Sequence, residues 1–522
     1  MSWRQFATAP SAAGAGNTLA VPVSRDPEGS LSTLFRLQST ESRRLLSMAR
    51  STPGRPLLSV EEPSGEWAHH TAGDLAGRVA ATARFLLDGG WEPGRHIVVA
   101  LPNGEGLVRA VLASWTLGSS PLILPPEATD LERETLGADL GTAFTDALPL
   151  GERELATALR LAPPQEVSPA PEPEVTWHLP TGGTTGLPRL YPVVPGPGRT
   201  LSGVREIMRA AAWRRDAVQL SVGPLSHAAP LLTCVAGITG GAHVILPRRL
   251  HPASVMSAVE RFRPTWCQLT PHQMALLDAN ASLWDALCSS LTGVLHTSAP
   301  CPEDVKRRWI SRLGGDRVFE TYSSTQVTGS TFCDGDEWLA RPGTAGRPFR
   351  DNEVLIADPK GEPLPPGETG EVFMRSPWTR TFGGKGFGSL RGRGDGFFSI
   401  GDTGRVDTDG YLYLTGRLDD IVIVGGANVN TREVERVLLT HPGIADAVVV
   451  RRHDGLMGDA LHTLIVPADP ADPPGIAAVH EHCRGLISPH KIPMTAEIVD
   501  ALPRSHAGKV ERFLRSDAAS AP

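Results

Sequence analysis

Apolar residues in the first third of the chain alternate between a helical spacing and short continuous runs. Residues 75–87 and 107–116 place apolar side chains every three or four positions, as an amphipathic helix does. Residues 96–101 and 120–124 are apolar runs of strand length. Helices that alternate with buried strands are typical of a parallel sheet covered by helices. This part of the chain is therefore predicted to be α/β.

The same alternation returns after a Pro/Glu-rich linker at 163–174. Between 340 and 415 it gives way to short β-rich runs separated by Asp/Gly turns, which predicts a small antiparallel sheet or distorted barrel. After 417 the α/β pattern resumes, so a domain boundary is expected near Asp419. The further predicted strands are 175–178, 219–222, 242–246, 265–269, 353–357, 370–374, 397–400, 411–414, 421–424, 445–451 and 462–466, and the further helices are 255–262, 271–277, 432–439 and 474–486.

Composition and charge mainly exclude classes of function. A chain of 522 residues predicts two or more domains, and a net charge of -7 gives no general attraction to nucleic acid. The six cysteines form no C-x-x-C pair, which favours neither a disulfide framework nor a zinc site and fits a reducing cytosol. We find no signal peptide and no apolar run near the roughly 20 residues that span a bilayer. A soluble cytoplasmic protein without a membrane partner is expected.

The segment LPTGGTTGLPRL at 179–190 is the strongest local motif. Glycines let backbone N–H groups turn towards an anion, and threonine hydroxyls add donors to phosphate oxygens. It is not a Walker A loop, because the Gly-Lys-Ser/Thr ending is missing. Taken alone, a segment of this kind is more often a simple connection between two elements. Its candidate phosphate-binding residues are Thr181, Gly182, Gly183, Thr184, Thr185, Gly186 and Arg189.

Later segments resolve this ambiguity because of their order and spacing. They are FETYSSTQ at 319–326, FSIGDT at 398–403, GRLDD at 416–420, GGANVNTREVE at 425–435 and PRSHAGKVER at 503–512. Together they resemble the adenylate-forming superfamily of acyl- and aryl-CoA synthetases, peptide-synthetase adenylation domains and firefly luciferase. The resemblance implies a large N-terminal domain, 1–418, with two α/β sheet subdomains and a small β-barrel-like part. It also implies a small mobile α+β lid, 419–522.

Members of that superfamily join a carboxylate to ATP, release pyrophosphate and hold the acyl-AMP until a thiol attacks it. The resemblance implies that ATP or acyl-AMP, CoA and, during adenylation, Mg²⁺ are bound. The resemblance implies that Thr297, Ser298 and Ala299 form a wall that meets adenine and substrate. It implies that Tyr322 packs on adenine and that Thr325 contacts the α-phosphate. Asp402 would accept the ribose hydroxyls, and Arg417 would contact the nucleotide. Lys509 would bridge carboxylate and α-phosphate, Asp419 would be the hinge, and Gly425 and Gly426 would line the CoA tunnel.

Gln326 departs from the family, which has Glu at this position to help hold Mg²⁺. Gln is the same size but uncharged, and Mg²⁺ prefers carboxylate and water ligands. The loss could cost roughly 3 kcal/mol of transition-state stabilisation, about a hundredfold in rate. Adenylation could then be weak or absent, with acyl-AMP supplied by a separate ligase; alternatively, water or a neighbouring carboxylate replaces the ligand. Retention of Lys509 argues against complete loss of adenylation.

The segments 223–231 and 295–310 resemble acyl-CoA synthetases of fatty and polycyclic or terpenoid acids more than amino-acid-activating domains. His227 would line the acyl pocket, although packing explains a lone histidine equally well. The alternatives are a stand-alone adenylating enzyme that loads an aryl or fatty acid onto a separate carrier protein, and a nucleotide-binding protein without activity. The oligomeric state is open, with a homodimer as one option.

Overall fold

The computed structural model of the protein describes residues 40–91, 96–126, 148–150, 176–181, 189–193, 196–324, 328–382, 390–424, 427–454, 458–484 and 486–502. These residues form a mixed α/β fold with a large N-terminal and a small C-terminal domain. None of the helices in these ranges combines the length and apolar character needed to cross a membrane.

The strands, numbered in chain order among the described residues, supply five sheets. They are β1 (Pro56–Glu61), β2 (Trp67–Thr71), β3 (Ile97–Val99), β4 (Pro121–Ile123), β5 (Leu148–Leu150), β6 (Trp177–Thr181), β7 (Arg189–Val193), β8 (Val218–Ser221), β9 (His243–Leu246), β10 (Trp266–Leu269), β11 (Gly293–His296), β12 (Val318–Ser323), β13 (Ser330–Asp334), β14 (Arg347–Pro348), β15 (Glu353–Ala357), β16 (Gly370–Arg375), β17 (Arg391–Gly392), β18 (Phe398–Ser399), β19 (Asp402–Val406), β20 (Leu412–Arg417), β21 (Ile421–Val424), β22 (Ala427–Asn430), β23 (Ile444–Asp454), β24 (Gly458–Pro467) and β25 (Thr495–Ile498).

Several helices begin at side chains that accept hydrogen bonds from their first N–H groups. Thr71 and Asp74 form a capping box at one helix start, and Thr270 and Gln273 form another. The helices of the described residues are α1 (Thr40–Ser51), α2 (Ala72–Asp88), α3 (Glu105–Thr116), α4 (Pro197–Ala210), α5 (Ala228–Gly240), α6 (Pro252–Phe262), α7 (Pro271–Asp278), α8 (Ala281–Cys288), α9 (Glu303–Leu313), α10 (Gly335–Ala340), α11 (Pro377–Phe382), α12 (Thr431–Leu438) and α13 (Ile476–Cys483).

Two α/β sheets form most of the large domain. The first has the order β14-β13-β12-β11-β10-β8-β9-β1-β2 and is parallel from β12 to β1. The second has the order β5-β3-β4-β6-β7 and is parallel except for β6–β7. One continuous apolar core contains side chains from both, including Trp177 of the second sheet and Val235 of α5. The sheets are therefore packed together through shared helices.

Antiparallel pairing dominates the rest of the chain. Strands β15 to β20 form the small antiparallel sheet that the sequence predicts for 340–415. The small domain contains the β21–β22 hairpin and a sheet of β23, β24 and β25, with Val434 of α12 and Val479 of α13 in its core. The helix predicted at 474–486 is shorter, because Arg484 leaves the helical conformation (φ -61°, ψ 131°). The linker at 163–174 lies outside the described residues.

Candidate active site

Three of the predicted nucleotide-binding residues meet at one end of the small antiparallel sheet. The Tyr322 hydroxyl, on β12 of the large sheet, donates a hydrogen bond of 2.6 Å to Asp402 Oδ2. Asp402 begins β19 and is paired in register with Arg417, the last residue of β20. Arg417 Nη1 lies 3.6 Å from Asp402 Oδ1, and its Nη2 donates to the carbonyl of Ile400 at 2.7 Å. Two sheets thus bring an aromatic ring, a carboxylate and a guanidinium together.

The hydrogen bond from Tyr322 and the charge of Arg417 keep the Asp402 carboxylate oriented. Burial, followed by the Asp402 carboxylate, raises the pKa of Tyr322 well above its ordinary value, so the phenol stays protonated and remains a donor. Asp402 is only 9% exposed. A carboxylate oxygen accepts more than one hydrogen bond, so Asp402 retains acceptor capacity for a diol such as ribose.

The predicted adenine and substrate wall directly follows β11. Thr297 donates its backbone N–H to the carbonyl of Leu269 at the end of β10, at 3.2 Å. Ser298 has φ +80°, a left-handed conformation that costs a non-glycine residue energy and is often found at functional sites. Ser298 and Ala299 are exposed beyond the strand end. The wall therefore begins at the carboxyl edge of the parallel strands, where open α/β sheets bind ligands.

The glycine–threonine segment spans the connection of a tight strand pair. Thr181 at the end of β6 pairs in register with Arg189 at the start of β7, so the backbone brings both ends of the segment together. Gly182, Gly183, Thr184, Thr185 and Gly186 lie outside the described residues, as do Thr325, Gln326, Gly425, Gly426 and Lys509. The phosphate, metal, tunnel and lysine roles of these residues therefore stay predictions.

Asn103 fixes the loop that leads to His227. Its Nδ2 donates to the carbonyl of Gly223 at 2.9 Å, and its Oδ1 accepts the N–H of Leu225 at 2.8 Å. His227 occupies the position immediately before α5, with its N–H bonded to the carbonyl of Pro224. Because Asn103 follows β3, these bonds connect the second sheet to the predicted acyl side of the first. The sequence gives no local signal for this bridge.

A buried ionic cluster lies behind the wall. Lys306 on α9 pairs with Glu320 on β12, and His296 Nε2 lies 3.8 Å from Glu320 Oε2. Burial, followed by the charge of Lys306, holds the pKa of His296 well below its ordinary value, so the ring is neutral. The cluster joins the residue before Thr297 to the strand that carries Tyr322.

The predicted hinge is a short 3₁₀ turn, Leu418–Asp420, that contains Asp419. Next to it, Asn430 joins the two domains: its Nδ2 donates to the carbonyl of Thr415 on β20 at 3.0 Å. Its Oδ1 accepts the N–H of Arg432 and so caps α12. A Cβ at Gly416 would lie 2.6 Å from Asn430 Nδ2, so a side chain there would displace the Asn430 amide from this position.

Two other kinds of site, a metal cluster and a reactive thiol, are not formed by the described residues. Among the described residues, no group of three or more His, Cys, Asp or Glu is placed to hold a metal. All six cysteines are free, and burial raises the pKa of those at the sheet, such as Cys267, so they are poor nucleophiles.

Comparison with known proteins agrees with this geometry. The profile of the AMP-binding enzymes matches residues 47–381, and that of the AMP-binding enzyme C-terminal domain matches residues 433–509. Feruloyl-CoA synthase from Amycolatopsis sp is 29% identical over 466 residues, which cover 84% of this chain and 92% of that protein. Triostin synthetase I from Streptomyces triostinicus is 30% identical over 480 residues, which cover 85% of this chain and 88% of that protein.

Solved structures share the fold. o-Succinylbenzoate CoA synthetase from Bacillus subtilis, in complex with its acyl-adenylate intermediate, has a TM-score of 0.74 at 23% identity and covers 92% of this chain and 98% of its own. The fold and the two matching profiles define an adenylate-forming enzyme, and the chain belongs to the family of AMP-binding enzymes. Within it, the protein is an acid–thiol ligase, an acyl-CoA synthetase that acts through an acyl-AMP.

Proposed function

We propose that the protein makes an acyl-CoA thioester from a bulky, largely apolar carboxylic acid, of the fatty, polycyclic or terpenoid type. The observation that carries the nucleotide half of this proposal is the contact of Tyr322, Asp402 and Arg417 at one sheet end. In this arrangement Asp402 accepts the ribose hydroxyls, Tyr322 packs on adenine, and the residues after β11 border both adenine and acyl group.

The remaining roles rest on the sequence. The β6–β7 connection and Arg189 would hold phosphates, Thr325 would contact the α-phosphate, and Lys509 would place its charge where negative charge develops at phosphorus. CoA would enter past Gly425 and Gly426, where a side chain would obstruct the thiol. Mg²⁺ would arrive with ATP, held by phosphate oxygens and position 326, and would neutralise triphosphate charge.

We further propose that adenylation is the weak half-reaction. Gln326 offers an amide where a carboxylate is expected, and Mg²⁺ prefers charged oxygen ligands. Attack of a thiol on an existing acyl-AMP needs no metal-bound triphosphate, so the substitution affects only the first step. The main reaction is then thioester formation from an acyl-AMP supplied by another adenylating ligase.

Separate assays of the half-reactions test this proposal. Pyrophosphate release from decanoic acid, ATP and Mg²⁺ should be about a hundredfold slower than CoA ester formation from synthetic decanoyl-AMP. Gln326→Glu should accelerate only the first reaction. Equal rates in the unchanged protein would refute weak adenylation. A faster reaction with a phosphopantetheinyl carrier protein than with CoA would favour carrier loading instead.

A further inference from the structure

Gln268 lies in the middle of the large sheet, one residue before the end of β10. It is paired in register with Ser221 on β8 and Leu295 on β11. Side chains paired across neighbouring strands point to the same face of a sheet. Gln219, two residues before Ser221 on the same face of β8, donates from its side-chain Nε2 to the carbonyl of Thr233 on α5, so this face lies against α5. Gln268 therefore projects between the sheet and α5, the helix that directly follows His227.

The side-chain nitrogen of Gln268 is buried without the hydrogen-bond acceptor that such a group requires. The residue is 4% exposed, and within the described part of the chain its Nε2 has no hydrogen-bond partner. A buried amide that lacks a partner destabilises a protein, and native structures rarely keep one without a reason.

Gln219 shows what a purely structural glutamine looks like on the same face. It lies two residues before Ser221 on β8 and is equally buried. Its Oε1 accepts from Trp213 Nε1 at 3.0 Å, and its Nε2 donates to the carbonyl of Thr233 at 3.0 Å. Both ends of its amide are used within the protein, whereas the Nε2 of Gln268 is left for another group.

The position of Gln268 indicates where that group comes from. Thr297, the first residue of the proposed substrate wall, comes two positions after Leu295 and directly follows the end of β11, so it continues this face of the sheet. The backbone of Thr297 is bonded to Leu269, the neighbour of Gln268. The amide thus lies on the face of the sheet that is covered by α5, next to the strand end that leads into Thr297, on the proposed acyl side of the site.

We propose that Gln268 is a specificity-determining residue whose amide hydrogen-bonds an oxygen atom in the acyl part of the acid, remote from its carboxylate. The inference rests on the proposed function and refines its substrate class. The preferred acid is apolar over most of its surface but carries a hydroxyl, ether or carbonyl oxygen that reaches the floor of the pocket.

The test uses the full chain and synthetic acyl-AMPs with CoA, so that adenylation does not limit the rate. The matched pairs are cinnamoyl- and 4-hydroxycinnamoyl-AMP, and decanoyl- and 10-hydroxydecanoyl-AMP. The unchanged protein should favour the oxygenated member of at least one pair by tenfold or more in kcat/KM. Gln268→Leu should abolish this preference, and the melting temperature of the variant should equal or exceed that of the unchanged protein. Gln268→Met provides a second variant of similar volume.

Gln219→Leu is the control, because it should lower the melting temperature and leave the preference unchanged. The inference is overturned if the unchanged protein makes acyl-CoA without discriminating within either pair. It is also overturned if both Gln268 variants lower the melting temperature as Gln219→Leu does, or keep the preference. No acyl-CoA from any acyl-AMP would instead overturn the proposed function itself.

Discussion

Individual residues at the site are held by contacts that the sequence does not display. Tyr322 and Asp402 are far apart in the chain, and only the packing of β12 against the small antiparallel sheet joins them. The family motifs predicted that both bind nucleotide. They did not predict that one orients the other, because a hydrogen bond between distant strands leaves no local pattern.

Removal of the Tyr322 hydroxyl should loosen Asp402. Tyr322→Phe keeps the ring but deletes the donor, so AMP should bind about fivefold more weakly, the equivalent of roughly 1 kcal/mol. Tyr411→Phe is the control, because Tyr411 makes a similar 2.8 Å bond to Glu337 away from the site. Calorimetric titration with AMP measures the affinity of each variant and of the unchanged protein. If Tyr322→Phe binds AMP as tightly as the unchanged protein does, Asp402 needs no orientation by Tyr322.

Ser298 adopts a conformation that glycine would adopt without strain. Ser298→Gly should raise the free energy of unfolding by roughly 0.5–1 kcal/mol, after allowance for the greater chain entropy of glycine. Ala212→Gly, at φ +61°, is a matched control away from the wall. Both should gain stability in urea unfolding, but only Ser298→Gly should change AMP affinity. A loss of stability at Ser298 would contradict the strain argument.

At the scale of elements, the spacing of apolar residues predicted the helices and strands in which that spacing is regular. The helix expected at 75–87 is α2, and the runs at 353–357 and 421–424 are β15 and β21. Strand β2, with the sequence WAHHT, was not predicted, since it has few apolar residues and exists through antiparallel pairing with β1. Partner-dependent strands of this kind cannot be found from periodicity alone.

The small domain is held against the large domain by Asn430, which caps α12 and donates a hydrogen bond to β20. Asn430→Asp keeps the acceptor that caps α12 but places a carboxylate against the carbonyl of Thr415. The small domain should leave this orientation more often, so trypsin should cleave after Arg417 several times faster. Asn280→Asp changes a comparable cap, on α8, without a domain contact. Equal cleavage rates in both variants would show that Asn430 does not restrain the small domain.

At the scale of the whole molecule, buried neutral histidines link stability to pH. Burial lowers the pKa of His178 to about 4, and it also lowers the pKa of His96, whose ring centre lies 5.0 Å away. Unfolded histidines titrate near 6.5, so the unfolded state binds protons that the native state excludes. The free energy of unfolding should therefore fall as pH decreases from about 6.5 to about 4.

His178→Leu should reduce this slope by about 1 kcal/mol per pH unit, because it removes a group that takes up a proton only on unfolding. Urea unfolding at several pH values between 4.5 and 7.5 measures the slope. An identical slope in the protein with and without His178→Leu would show that His178 titrates normally in the folded state.

The most direct test of the account is a crystal structure with decanoyl-sulfamoyl-adenosine, a stable analogue of an acyl-AMP. The account predicts ribose hydroxyls on Asp402, adenine against Tyr322, and a decanoyl chain that passes Thr297 towards Gln268. An analogue bound elsewhere, or with its ribose away from Asp402, would contradict it.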